Sequence, residues 1–302
     1  IRMIRQWINP ETGSVFVQGT SGFNDQATRV LEARQIDGAR VCDPPTNGDG
    51  RPLMLHQAVV KTLFHPLTPI KRALAIHPTG TGKSLVMINA IETHFHDLRP
   101  KVIIVPSYLI QLQIVQDMLT LLPSESNLRR WYTWWSTTPE GNAARGTTEF
   151  YWHVIAALSF RRVRTQRDGS RRKSPERQED DDPDELVYET NEDDDDVRPP
   201  DMETDTSRYN TFQLIRKGDR PVSDVPTGKY ELRSPIIFMT YAEHKLGMYR
   251  TNPVFAKHTG SDPAVSFSGK IVLVDEMQNL FDEYNPNLNA VQRRKLFGDE
   301  AQ

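Results

Sequence analysis

Apolar residues recur along this chain in two rhythms. Short unbroken runs at 73–76, 102–105, 236–239 and 271–274 have the length and branched content of strands buried on both faces. Around them, Leu53, Ala58, Val59, Leu63 and Phe64 keep helical spacing over 53–64, and helical patterns run from Lys83 to His96, from Tyr108 to Leu122 and onward from Ala242. Strand alternating with helix predicts an α/β fold, a parallel sheet flanked by helices.

The alternation lapses over 123–234. Trp131, Tyr132, Trp134 and Trp135 cluster there, and an apolar segment follows at 150–160. Both stretches are expected to fold, and aromatics at this density read first as packed core or a partner interface, and second as a platform for stacking bases. Next comes a basic run, Arg161, Arg162, Arg164, Arg167, Arg171, Arg172 and Lys173, followed at once by an acidic tract that includes Asp193, Asp194, Asp195 and Asp196. Blocks of like charge lack the apolar content to offset ordering entropy, so 161–205 is expected to be disordered or loosely docked. The domain plan is an N-terminal extension and linker over 1–50, then one domain over 51–302 interrupted by an insertion at 123–234.

Charge placement changes the picture more than net charge does. The 302 residues carry −3 overall, but 176–205 holds sixteen Asp and Glu against two Arg, leaving 24 acidic and 35 basic residues elsewhere. The body is basic, which points mildly to polyanionic partners such as nucleic acid. The adjacent acidic tract could mimic DNA on the basic run when none is bound. A single cysteine, Cys42, excludes an intrachain disulfide framework and any multi-thiolate metal site, which suits a reducing compartment or a virion interior. With no apolar run of about 18 residues, no transmembrane helix and no membrane partner are expected. Neither is a secretory leader; a chain opening on Ile1 is expected to be processed or trimmed.

Two motifs carry chemistry. His77-Pro78-Thr79-Gly80-Thr81-Gly82-Lys83-Ser84 lies between an expected strand and an expected helix, the context of a phosphate-binding loop. Its glycines let successive N–H groups turn inward, and the helix N-terminus adds a favourable dipole. Thr79, Gly80, Thr81, Gly82, Lys83 and Ser84 would cradle ATP, with Lys83 on the β- and γ-phosphates and the Ser84 hydroxyl on Mg²⁺. His77 stands where the general pattern has Gly. The second motif, Ile271-Val272-Leu273-Val274-Asp275-Glu276, is a buried strand delivering two carboxylates to the ligand crevice: Asp275 for Mg²⁺, and Glu276 to orient and deprotonate the attacking water.

Together the two motifs, with Asp275-Glu276-Met277-Gln278 in the D-E-x-x format, resemble motifs I and II of superfamily 2 helicases and translocases. The resemblance implies a RecA-like P-loop lobe. It assigns Gln57, within Leu55-His56-Gln57, to the adenine edge. Pro106 and Ser107 look like motif Ia, and Thr240 and Tyr241 like the Thr-Tyr segment before motif II in the Snf2-like branch, so these four would contact nucleic acid. The stretch from Val274 to Leu280 is similar to the form in poxvirus-type nucleoside triphosphatase I and early-transcription-factor ATPase subunits. That implies a large DNA virus, a role in transcription or genome handling alongside transcription machinery, and location in the virion and host cytoplasm, or otherwise inside a cell.

Departures from the family keep alternatives open. Lys83 and Asp275 lie 192 positions apart, against on the order of 100 for one lobe with short connections. Only 27 residues follow Asp275, no room for the second RecA-like lobe that supplies arginine fingers worth roughly 10³–10⁵ in rate. The expectation is an ATP hydrolase that binds nucleotide but turns it over poorly until a second lobe joins it, from a longer chain or a partner. Another P-loop ATPase such as a DNA-packaging motor, or a structural virion component retaining the lobe, remain competing classes.

Overall fold

The computed structural model describes residues 7–9, 12–33, 53–70, 72–76, 81–164, 197–217, 231–245, 255, 267 and 269–276. In chain order its elements are α1 (Ser21–Ala33), α2 (Leu55–Leu63), α3 (Lys83–Thr93), β1 (Lys101–Val105), α4 (Tyr108–Thr120), α5 (Asn127–Trp135), α6 (Pro139–Ala144), α7 (Phe150–Leu158), β2 (Arg161–Val163), β3 (Met202–Thr204), α8 (Thr206–Lys217), β4 (Ile236–Thr240), α9 (Tyr241–Lys245) and β5 (Ile271–Val274). The fold is α/β.

β1 is the centre of a three-stranded parallel sheet, with β4 on one side and β5 on the other. Side chains alternate between its faces. Ile103, Val105, Ile236 and Phe238 enter a core shared with α3, α4, α5 and α7, whereas Val102, Ile104, Ile237 and Met239 pack on the opposite face with Tyr241 and Phe255. Burial on both faces is why these strands read as unbroken apolar runs. Full burial of one such side chain stabilises by roughly 1.5–3 kcal/mol.

The register Val105↔Thr240 and Ile104↔Val274 ends all three strands at one edge. Thr240 closes β4 and opens α9 through a reciprocal capping box: its backbone N–H donates to the Glu243 carboxylate (2.7 Å), and its hydroxyl accepts from the Glu243 N–H (3.2 Å).

Much of the stretch 123–234 is built into the main core. Ser126 caps α5 by accepting from the Arg129 N–H (3.3 Å), and Glu92 of α3 reaches over to accept from the N–H groups of Asn127 (2.7 Å) and Leu128 (3.0 Å). Trp131 and Trp135 stack at 6.1 Å, both buried in the cluster that contains Ile103 and Ile88. These two rings are packed core, the first of the two readings.

Further on, β2 and β3 pair antiparallel, and the Arg164 N–H donates to the Asp201 carbonyl (2.8 Å), which extends the ladder by one bond. Arg208 fastens α8 beneath it, donating to the Ala157 carbonyl (2.9 Å) with its guanidinium over the Phe160 ring (4.6 Å). The ends of the charged stretch 161–205 are thus ordered, and 165–196 lies outside the described residues.

One expected strand is absent. Residues 72–76 form no ladder and stand exposed, Leu74 at 73% and Ile76 at 83%. Apolar content favours a strand, but a strand exists only through its partner, and among the described residues nothing pairs with the outer edge of β5 or with 72–76.

Candidate nucleotide site

The phosphate loop is described from Thr81 onward; His77, Pro78, Thr79 and Gly80 lie outside the described residues. Gly82 precedes α3 with φ +78°, the left-handed region. A side chain there would suffer twice, from that backbone and from the Gln57 amide nitrogen only 2.6 Å from where its Cβ would stand. Lys83 and Ser84 then occupy the first helical turn, where backbone N–H groups have no partner within the helix.

Gln57 lies beneath this turn, buried. Its amide donates to the carbonyls of Thr81 and Gly82 (3.3 Å each), its oxygen accepts from the Met54 N–H (2.9 Å), and His56 Nε2 also contacts the Thr81 carbonyl (3.0 Å). The side chain assigned to adenine is therefore also a brace for the loop. His56 gave no signal beyond its place beside Gln57.

The two motifs meet through residues 193 positions apart: the Lys83 ammonium donates to the Glu276 carboxylate in a direct ion pair. That hydrogen bond, opposed by burial and joined by the charges of Glu276 and Asp275, raises the Lys83 pKa. Burial first, then the adjacent Glu276 charge, push the Asp275 carboxyl above its ordinary value, against Lys83 and a backbone N–H.

The backbone of this carboxylate turn is held on two sides. The Asp275 N–H donates to the Ile104 carbonyl (3.0 Å), the last ladder bond of β5. The Tyr241 hydroxyl donates to the carbonyls of both Asp275 and Glu276, 2.9 Å to the latter. Glu276 itself has φ +48°, which costs a non-glycine residue roughly 1–2 kcal/mol and persists where surrounding contacts impose it. The Tyr241 pKa is raised by burial and then by the two carboxylates.

The residues expected at nucleic acid line the same sheet edge. Pro106 and Ser107 follow β1, and Ser107 is the N-cap of α4 without a side-chain cap bond. Thr240 is engaged in its capping box, and Tyr241 faces the carboxylate turn. Beside them Tyr108 has its pKa pushed up to about 12, by burial and then by Glu243. Glu243 was not anticipated, though Thr240-Tyr241-Ala242-Glu243 spells the capping signature.

The donor set suits Mg²⁺: a serine hydroxyl on a helix N-terminus and a carboxylate are hard oxygen ligands of the kind that share this ion with phosphates. Burial and then the adjacent Glu276 charge raise the Asp275 pKa, and a cation there would offset both. No cluster of three or more His, Cys, Asp or Glu able to hold a metal occurs among the described residues, and no helix among them is long and apolar enough to cross a membrane.

Residues 53–152 match the family model described as type III restriction enzyme, res subunit. No curated protein and no solved structure matched. The matched third of the chain holds Gln57, the phosphate loop, Ser107 and the helices through α6, while Thr240, Tyr241, Asp275 and Glu276 fall beyond it and join it in space. Match and sheet together support an N-terminal RecA-like lobe similar to that of superfamily 2 helicases.

Proposed function

We propose that this chain is the ATP-binding half of a nucleic-acid-dependent ATPase of the helicase and translocase type, acting on DNA or RNA in transcription or genome handling of a large DNA virus. The observation that carries the ATPase reading is the ion pair of Lys83 with Glu276 beside Asp275, at the N-terminus of α3. The poxvirus-like lineage rests on the Val274 to Leu280 sequence alone.

Without nucleotide, Lys83 and Glu276 neutralise each other. The phosphates of ATP would compete for the Lys83 ammonium and take the backbone N–H groups of Lys83 and Ser84 at the start of α3. As Lys83 swings to them, the Glu276 carboxylate gives up this ion pair and can accept a proton from a water in line with the γ-phosphate. Mg²⁺, held by Ser84 and Asp275, would neutralise charge on the phosphate oxygens. Gln57 keeps the loop closed from below, and its amide would have to turn away from the Thr81 and Gly82 carbonyls to reach the base. A second RecA-like lobe would supply arginines and turn closure into movement along a strand.

The test is thermal stabilisation by MgATP. Wild-type protein should melt at a temperature that rises with MgATP, and Lys83→Ala should show no rise; a rise that survives the substitution refutes the loop assignment. A DNA-stimulated release of phosphate, absent in Glu276→Gln, tests the hydrolytic half of the reading.

A further inference from the structure

We propose that Tyr241 is a positioning residue for the carboxylate pair, its hydroxyl setting the Asp275-Glu276 turn in the geometry that takes up Mg²⁺ with the nucleotide. The inference deepens the ATPase reading and rests on it, but assigns to Tyr241 a task different from the nucleic-acid contact its motif implies.

Three local features place the hydroxyl. The capping box of Thr240 and Glu243 starts α9 at the residue after the strand, so Tyr241 leaves the sheet at a fixed angle. Its ring is clamped among Ile104, Ile237 and Met239 on one face of the sheet, 8% exposed, which removes most of its freedom to turn. From there its single O–H reaches across the end of β1 to the carbonyls of Asp275 and Glu276, two strands away in the sheet order β4, β1, β5.

Anchoring backbone carbonyls rather than carboxylates matters chemically. A tyrosine donating to a carboxylate would lower its charge density and compete with the metal. Donating to the carbonyls takes up neither carboxylate and orients both, while Glu276 stays in its left-handed conformation paired with Lys83. The same contact links the exit of β4, next to Ser107 and Tyr108, to the nucleotide edge. An event at the Thr240 and Ser107 edge that tilted α9 would move the carboxylate turn with it.

The experiment uses Tyr241→Phe, which keeps the ring and deletes only the hydroxyl, in the full chain. Melting temperature is followed with ADP in a metal-free buffer and then through a Mg²⁺ titration with ATP. The expected result is an unchanged response to metal-free ADP and a Mg²⁺ requirement for half-maximal stabilisation raised about tenfold. Single-turnover hydrolysis should fall by a similar factor. If the variant merely melts lower while its Mg²⁺ titration overlays the wild type, the hydroxyl is only structural and the proposal is overturned. If the wild type itself shows no stabilisation by nucleotide, with or without Mg²⁺, the ATPase reading falls and this proposal with it.

Discussion

Two lysines, one at each end of the sheet, show how the same side chain is made structural or reactive. Lys101 begins β1 fully buried, its ammonium donating to the carbonyls of Phe95 (3.3 Å) and Asp97 (2.7 Å) and to the Ser234 hydroxyl (2.6 Å). Ser234 in turn donates to the Asp97 carbonyl (2.7 Å), tying the entry of β4 to the turn after α3. Three neutral acceptors hold this nitrogen, and burial, opposed by the nearby Asp97 carboxylate, lowers its pKa to about 7. Lys83 has one strong partner, a carboxylate at a partly open edge, and its pKa goes the other way. Neutral acceptors in a closed pocket hold a lysine in place; a single anionic partner near solvent holds it until a better anion arrives.

The contrast can be broken by removing each lysine. Lys83→Ala should abolish stabilisation by MgATP, the largest effect, while nucleotide-free stability changes little, because the pair it loses is partly exposed. Lys101→Met should do the reverse. It leaves the Phe95 carbonyl without its lysine donor and the Asp97 carbonyl with Ser234 alone, and should cost about 2 kcal/mol in denaturant unfolding, with nucleotide affinity intact once folded.

The pH dependence sharpens this second case. The pKa of Lys101 is lower folded than unfolded, so above about pH 7 the folded state has shed a proton the unfolded chain keeps until near its ordinary value of 10.5. Stability should therefore rise as pH climbs from about 7 towards 10, and the burial penalty is fully present below that window. In Lys101→Met this part of the rise should vanish; a slope identical to wild type would show that Lys101 is not its source.

Smaller effects test the surroundings of Lys83. Gln57→Ala removes the brace under Thr81 and Gly82 and should weaken MgATP binding by about tenfold, or roughly 1.4 kcal/mol, and erase preference for adenine over guanine. Weakening with selectivity intact would assign Gln57 to the loop alone. Deleting 176–196 should tighten DNA binding only a few-fold and only at low salt, since its effect is screened charge. The cut stops before β3 and Asp205, because Asp205 takes hydrogen bonds from the Ser207 hydroxyl (2.7 Å) and pairs with Arg162 (3.1 Å). Unchanged affinity would remove the DNA-mimic idea.

What the sequence disclosed follows from how local each signal is. The runs that became β1 and β4 declared themselves because each is buried on both faces, β5 because its half-buried run is as apolar as theirs, and Gly82 because one backbone position there admits little else. The pairing of Lys83 with Asp275 and Glu276 was legible through chemistry, two motifs that make sense only together. The run at 73–76 misled because a strand depends on a neighbour that no local pattern encodes. The tie from Tyr241 to the carboxylate turn joins residues 34 and 35 positions apart through backbone carbonyls, which every residue has and none advertises. Lys101 was equally silent, since a lysine opening an apolar run looks like a solvated end until three elements close over it.

The ladder of β2 and β3 has a consequence for how this protein can change over time. Because Arg164 and Asp201 are hydrogen-bonded neighbours, the described chain on the two sides of 165–196 is joined by one ladder. Doubling the length of such a loop costs only about 0.6 kcal/mol in closure entropy. A change of length between the two strands is therefore expected to cost the lobe little and to leave the edge that carries Lys83 and Glu276 as it is.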